Sequence, residues 1–428
     1  MNAARPPHTS SLVHRTTGVL QATVGDGLLL VDPVLVRAHG LNPTAAAIWA
    51  EVGDGAADGA VGTDEVVERV AAVFSLDPDA VRDGVLDAID RFAQEGLLHL
   101  DPSAAAGPGP DPDEIPGRFA NVPYTDELVP ASVAGWHGTA PIGPFRGLDV
   151  TFDLVTDRDE IGRYLAEVWA PLAVEPDPTT ATSVRHYAIV GSDPDPSVGH
   201  LLALDGHVVA RAGAASAIVG LAVWHANQLV STETDRYLQL HAAAVVIDGG
   251  AVLLPAAMNS GKSTLATALV ADGAGYLTDE TAALDPETGL VQPYPKAISL
   301  DPGSWTLFDD LEPRANRARP GLAHGKWYID PDTIRAGAAA GPTRPAAIVF
   351  PTYDSSRPTR RVPMAPVDAA AELARNCFNL PRMGQVGVDL IASLASTVPC
   401  SSLSVQDVAG GVAAVRDARR GGGSPTSR

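Results

Sequence analysis

Lysine is nearly missing from this chain. Among 428 residues only Lys262, Lys296 and Lys326 carry an ammonium group, and arginine supplies the remaining positive charge. Cysteine is as scarce. Cys377 and Cys400 stand without metal-ligand spacing, which argues against a disulfide framework or a cysteine metal site and fits a reducing cytosol. Positive charge as a whole is short: 30 Lys and Arg face 51 Asp and Glu, a formal −21. A nucleic-acid partner normally calls for a basic face, so none is expected. No run of about 18 apolar residues occurs, which would be needed to span a membrane. Met1 to Leu12 shows no basic segment followed by an apolar one. The expectation is a cytoplasmic protein with neither a membrane nor a nucleic acid as partner. What is present is a globular composition, 45% hydrophobic and 19% charged, long enough for two or three cores.

Residues 15–101 read as a first domain. Val19 to Asp32 is two short strands around Gly25-Asp26-Gly27, a hairpin signal. Leu41 to Val52 is a helix in which Asn42 can cap and Pro43 takes the first helical position. Thr63 to Phe74 is a second helix with Thr63 as its cap, and Asp79 to Glu95 a third, closed by Gly96. A hairpin and three helices in this length imply a winged-helix-like module. Residues 102–142, rich in Pro, Gly and Ala, read as a linker. Residues 143–415 mix strands and helices, and 416–428 read as a disordered tail.

The strongest chemical signal begins at Leu253. An apolar strand runs into Ala256-Ala257-Met258-Asn259-Ser260-Gly261-Lys262-Ser263-Thr264, and a helical pattern follows. This is the phosphate-loop pattern with Ala256 in place of the first glycine. Loop amides and a helix N-terminus cradle phosphate oxygens, Lys262 reaches the terminal phosphates, and the Ser263 hydroxyl ligates Mg²⁺. Ala243 to Asp248 and Ala251 to Pro255 flank Gly249-Gly250 as a tight hairpin. The strand that feeds the loop therefore has an antiparallel neighbour, unlike an ordinary doubly wound nucleotide fold.

Asp279 and Glu280 close a short apolar strand downstream. Acids there can complete Mg²⁺ coordination or accept a proton from an attacking hydroxyl. His241, just before the hairpin, taken alone reads as a satisfied core residue. Arg314, Arg317, Arg319 and Lys326 alternate with Trp305, Phe308, Trp327 and Tyr328, either as a phosphate-clamping lid or as solvated arginines over a core. Lys296 is read equally as a phosphate contact or a surface lysine. Cys377 reads as a small buried apolar residue.

Residues 236–300, through His241, the loop Ala256 to Ser263 and the pair Asp279-Glu280, resemble the catalytic core of HPr kinase/phosphorylase and its relatives. The resemblance implies an α/β (α+β) P-loop domain of HPr-kinase and PEP-carboxykinase-like type with mixed sheets. It further implies ATP and Mg²⁺ as cofactors, Lys262 on the phosphates, Ser263 and Glu280 at the metal, Asp279 as general base and His241 beside the phosphate path. Glu280 stands where that family has Asp. The family's second signature is replaced by Gln292 to Leu300, so a phosphorylase half-reaction is not implied.

Residues 15–100 in turn resemble the PqqD-like family, through Leu28 to Asp32, Leu41 to Trp49 and Glu95 to Leu98. That resemblance implies a module that captures the leader of a ribosomally made precursor peptide as an added strand against the third helix. DNA binding, which the shared fold would permit, is opposed by charge: residues 1–100 hold 14 acids against 6 arginines. Together the two resemblances imply a kinase that phosphorylates a Ser or Thr hydroxyl of the tethered precursor, with other enzymes of the pathway as further partners. The alternative is a degenerate nucleotide-binding scaffold that delivers the precursor.

Overall fold

The computed structural model describes residues 11–34, 37–52, 60–100, 140–176, 183–191, 199–258, 260–323 and 325–421. The expected linker falls outside the described residues up to position 139, as does Asn259 of the loop. Two compact units divide the chain.

The first unit starts with β1 (Leu12–Arg15), β2 (Leu20–Val24), β3 (Gly27–Asp32) and β4 (Arg37–Leu41). Gly25 (φ 60°) and Asp26 make the two-residue turn that pairs Val24 with Gly27. Helix α1 (Pro43–Glu51) is capped by the Asn42 side chain, which accepts from the Ala45 amide at 2.9 Å. The chain continues through β5 (Val61–Gly62), α2 (Thr63–Phe74), α3 (Pro78–Gln94) and β6 (Leu98–Leu100). Gly62, not Thr63, occupies the cap position of α2. The Thr63 amide is drawn instead to the Ser11 carbonyl, 3.0 Å away.

Two antiparallel sheets result, β5-β1-β6 and β2-β3-β4. Leu30, Leu41, Ile48, Val66, Ile89 and Phe92 share one core, with Trp49 edge-on to Phe92. Each such side chain contributes about 1.5–3 kcal/mol by leaving water. Hairpin and three helices stand as the sequence pattern implies.

The second unit opens with β7 (Ile142–Gly147), β8 (Val150–Thr156), α4 (Asp159–Trp169), β9 (Val184–Gly191), β10 (His200–Leu204), β11 (His207–Ala212) and α5 (Ala215–Glu233). Its five strands form a sheet in the order β11-β10-β9-β8-β7, with Phe152, Tyr164, Trp169, Tyr187, Leu202 and Leu229 in the core beneath α4 and α5.

Next come β12 (Leu238–Ile247), β13 (Gly250–Pro255), α6 (Lys262–Ala271), β14 (Gly275–Thr278), β15 (Thr281–Leu284), β16 (Val291–Gln292), β17 (Ile298–Leu300), β18 (Trp327–Ile329), β19 (Pro345–Tyr353) and β20 (Arg360–Pro363). Strand β13 pairs antiparallel with β12 and parallel with β19. The sheet is therefore mixed around the loop, as the hairpin spacing requires.

After β20 the chain rejoins the first unit with α7 (Pro366–Arg375) and α8 (Leu380–Thr397), then closes the second with β21 (Cys400–Val405) and α9 (Val408–Gly421). This corrects the expected continuous domain over 143–415. Along β3 the side chains alternate: Leu28 and Leu30 join the helical core, while Leu29 and Val31, also buried, belong to the opposite face. There a Cβ added to Gly27 or Gly40 would press on Val367 of α7. Arg375 donates to the Ala38 carbonyl on β4, and Gln385 to the Gln21 carbonyl on β2. The expected tail also starts later. Residues 416–421 are the last turns of α9, where Arg419 donates to the carbonyls of Ile247 and Asp248.

Candidate active site

The apolar run Gly250–Pro255 is buried throughout and delivers the loop to the end of β13. Gly261 has φ 87°, a left-handed conformation that costs only glycine little, and Lys262 starts α6 directly after it. Thr267 donates back to the Ser263 carbonyl at 2.7 Å within the first turns. Lys262 is buried, and its ammonium donates to the carbonyls of Ala256 (2.7 Å) and Ala257 (2.8 Å). Burial lowers its pKa to about 8, against the pull of Glu280 and Asp279. Ser260 Oγ is a buried polar atom with no hydrogen-bond partner among the described residues. Such an atom in a cationic loop fits an anionic ligand.

Strand β14 ends at Thr278, and the bend before β15 turns Asp279 inward. Four donors meet its carboxylate. Ser263 Oγ (3.0 Å) and the Ser299 amide (3.1 Å) reach Oδ2; Tyr276 Oη (3.0 Å) and Lys296 Nζ (2.8 Å) reach Oδ1. Burial alone would raise this carboxyl, but Lys296 and the donated hydrogen bonds outweigh it and hold the pKa below the usual range. Asp279 is ionised. Lys296 is buried as well and reaches Glu280 Oε2 at 3.2 Å; burial opposes its charge, and the two carboxylates overcome that and raise its pKa. Lys296 is thus neither a phosphate contact nor a surface lysine. Glu280 remains 44% exposed at its side chain.

His241 lies inside β12 rather than before it, because Leu238–His241 already pair with β15, with His241 opposite Thr281. Its ring packs on Phe378, 5.1 Å between centroids, and its carbonyl accepts from the Ala256 amide. His241, Lys262, Ser263, Asp279 and Glu280 all line one polar cavity of about 160 Å³. Met258, Ser260, Gly261 and Thr264 line it too, whereas Ala256 and Ala257 contribute through the carbonyls that hold Lys262.

Sequence reasoning missed the far wall, Ser299, Asp301 and Ser304, with Lys326 paired to Asp301 at 3.2 Å. A signal was available. All three lysines of the chain converge here: two line the cavity and the third fixes its buried acid. A compact ammonium differs chemically from the guanidinium used elsewhere. The expected basic, aromatic stretch does not act as one body. Trp305 stacks on Trp327 at 4.9 Å, Phe308 and Tyr328 are buried, and Arg319 pairs with Glu160 and Glu167. Arg314 and Arg317 line a separate cavity, and only Lys326 joins the site. Cys377 is buried, as expected.

Ser263 and Asp279 offer hard oxygen donors of the kind Mg²⁺ takes, which is usually held by one or two carboxylates together with substrate phosphates. No cluster of three or more His, Cys, Asp or Glu that could hold a metal ion occurs among the described residues. No helix among them is long and apolar enough to cross a membrane.

Residues 27–98 match the family described as coenzyme PQQ synthesis protein D (PqqD), and the N-terminal unit therefore carries a PqqD domain. The chain is also similar to the structure of the Hpr(Ser) kinase/phosphatase from Coxiella burnetii, at 14% identity and a TM-score of 0.24, over 43% of this chain and 95% of that one. The comparison with curated proteins gives no match.

Proposed function

We propose that the chain is an ATP- and Mg²⁺-dependent kinase that phosphorylates a Ser or Thr hydroxyl of a ribosomally made precursor peptide, held through residues 15–101. One observation carries the reading: the Ser263 hydroxyl and the ionised Asp279 carboxylate meet at 3.0 Å beside Lys262, at the N-terminus of α6. That juxtaposition is what a phosphate loop and its acidic partner need. Lys262 and the loop amides would hold the phosphates. Ser263 and Asp279 would hold Mg²⁺, which neutralises charge on the phosphoryl oxygens.

The donors around Asp279 favour a division of labour opposite to the one the family resemblance implies. A carboxylate offers about four acceptor positions, and four donors already meet this one; the Ser263 proton can rotate away to open Oδ2 to the metal, which leaves no position for the acceptor's proton. Glu280, half-exposed in the same cavity, is the acid better placed to take the acceptor's proton. The hydroxyl oxygen then bonds to the γ-phosphorus as the bond to the bridging oxygen breaks and ADP departs. His241 would flank the phosphate path. A precursor held by the PqqD domain would reach roughly millimolar effective concentration at a short tether, which supports the joining of the two units.

Incubation of the full chain with γ-labelled ATP, Mg²⁺ and its precursor peptide tests this. Label should enter the peptide and be lost with Asp279→Asn. A second reading, a nucleotide-binding scaffold, is favoured by Ala256 at the glycine position and by Lys262 turned onto the loop carbonyls. Binding of both ligands without any transfer would select it.

A further inference from the structure

A second cavity abuts the phosphate loop, and its chemistry is opposite to that of the first. It measures about 320 Å³, within the range of small-molecule pockets. Its walls include Leu307, Pro351, Tyr353, Val405 and Val408, whereas the first cavity is walled by Lys262, Lys326, Asp279, Glu280 and Asp301. Both are lined by Ser260, Gly261, Thr264 and Ser304. The Thr264 and Ser304 hydroxyls lie 2.6 Å apart and form the rib between them. Tyr353 and Leu307 remain 59% and 54% exposed, unusual for side chains of this size in a walled pocket. The Tyr353 Cβ would lie 3.7 Å from a Cβ placed on Gly261, so its side chain starts against the loop backbone itself. At the polar rim, Asp407 caps α9 by accepting from the Gly410 amide at 2.8 Å.

A phosphoryl donor held by the loop must send the rest of its body to one side. A nucleoside carries an aromatic base that gains by leaving water, and the first cavity would set it against Lys262, Lys326, Asp279, Glu280 and Asp301, charged groups that it would have to desolvate. From this we infer that the Tyr353 cavity receives the nucleoside of the donor, with the base against Tyr353 and Leu307. The donor class is therefore a nucleoside triphosphate and not inorganic pyrophosphate, which would leave these apolar walls wet. The inference rests on the phosphate-binding reading above and adds the residues that hold the base.

Calorimetric titration of the full chain with Mg-ATP and, separately, with Mg-tripolyphosphate separates the two. ATP should bind more tightly than tripolyphosphate. Tyr353→Ala should weaken ATP about tenfold, the scale of one base–aromatic stack, and leave tripolyphosphate unchanged. Retained tripolyphosphate affinity also shows that the variant is folded at the site. Leu307→Asp should act in the same direction. Equal affinities in the parent chain, unmoved by Tyr353→Ala, would overturn the nucleoside assignment while the phosphate loop stands. No binding of either ligand would remove the phosphate-loop reading, and the inference with it.

Discussion

Lys296 Nζ lies 2.8 Å from Asp279 Oδ1, both groups buried, and the same ammonium reaches Glu280 Oε2 at 3.2 Å, so one lysine holds both adjacent acids of the cavity. The pair is costly to split, because removing one partner leaves a charge in the interior with no counter-ion. Lys296→Met should destabilise the chain by about 3–5 kcal/mol in urea unfolding. Combining it with Asp279→Asn should cost clearly less than the sum of the two single changes. Additive losses would show that the ion pair is not coupled.

Lys262 titrates near the working range. Its pKa of about 8 means that the ammonium, which must turn from the loop carbonyls to meet phosphate, is lost as pH rises from 7 to 9. ATP affinity should fall up to about tenfold over that interval, one pKa unit being a factor of ten. Lys262→Arg stays charged and should not show the drop. A pH-independent affinity in the parent chain would show that the Lys262 ammonium stays charged throughout the interval, contrary to the lowered pKa.

Acid sensitivity should come from a different place. His225 Nδ1 lies 2.7 Å from the Tyr187 hydroxyl, and its Nε2 is buried without a hydrogen-bond partner among the described residues. Burial, helped by Arg185, lowers the ring's pKa to about 4. The neutral ring is thus favoured by folding, and its stabilisation is full above the unfolded value of about 6.5 and fades as pH falls toward 4. Between pH 7 and 5 that loss is about 2 kcal/mol. His225→Asn should remove this part of the slope in paired unfolding curves.

The PqqD-matched sequence should not stand alone. Leu29 and Val31 are buried on the sheet face turned toward α7 and α8, which arrive from residues 366–397. A fragment of residues 1–100 exposes that face. It should melt well below the full chain and lose hydrogen-exchange protection at the amides of β2–β4. A fragment as protected as the intact chain would show that the two helices are dispensable.

Where local signals were strong, the sequence was readable. Asn42 with Pro43, the Gly25-Asp26 turn and the strand running into Gly261-Lys262 each fix their element through short-range chemistry. Long-range pairing was not readable. His241 was placed outside its strand because β15, 40 residues on, supplies the partner. The attachment of α7 and α8 to the N-terminal sheet spans more than 300 residues, and nothing in their own apolar periodicity names the surface they cover. Lys296 was undervalued for a similar reason. Its counter-ions are 17 and 16 positions away, and only the scarcity of lysine hinted at a special role.

The most direct measurement is a calorimetric titration of the full chain with ATP, with and without Mg²⁺, repeated on Ser263→Ala. The parent chain should bind ATP saturably and more tightly with Mg²⁺, and removal of the Ser263 hydroxyl should abolish that metal dependence. No saturable ATP binding, or a metal dependence that Ser263→Ala leaves intact, would contradict this reading.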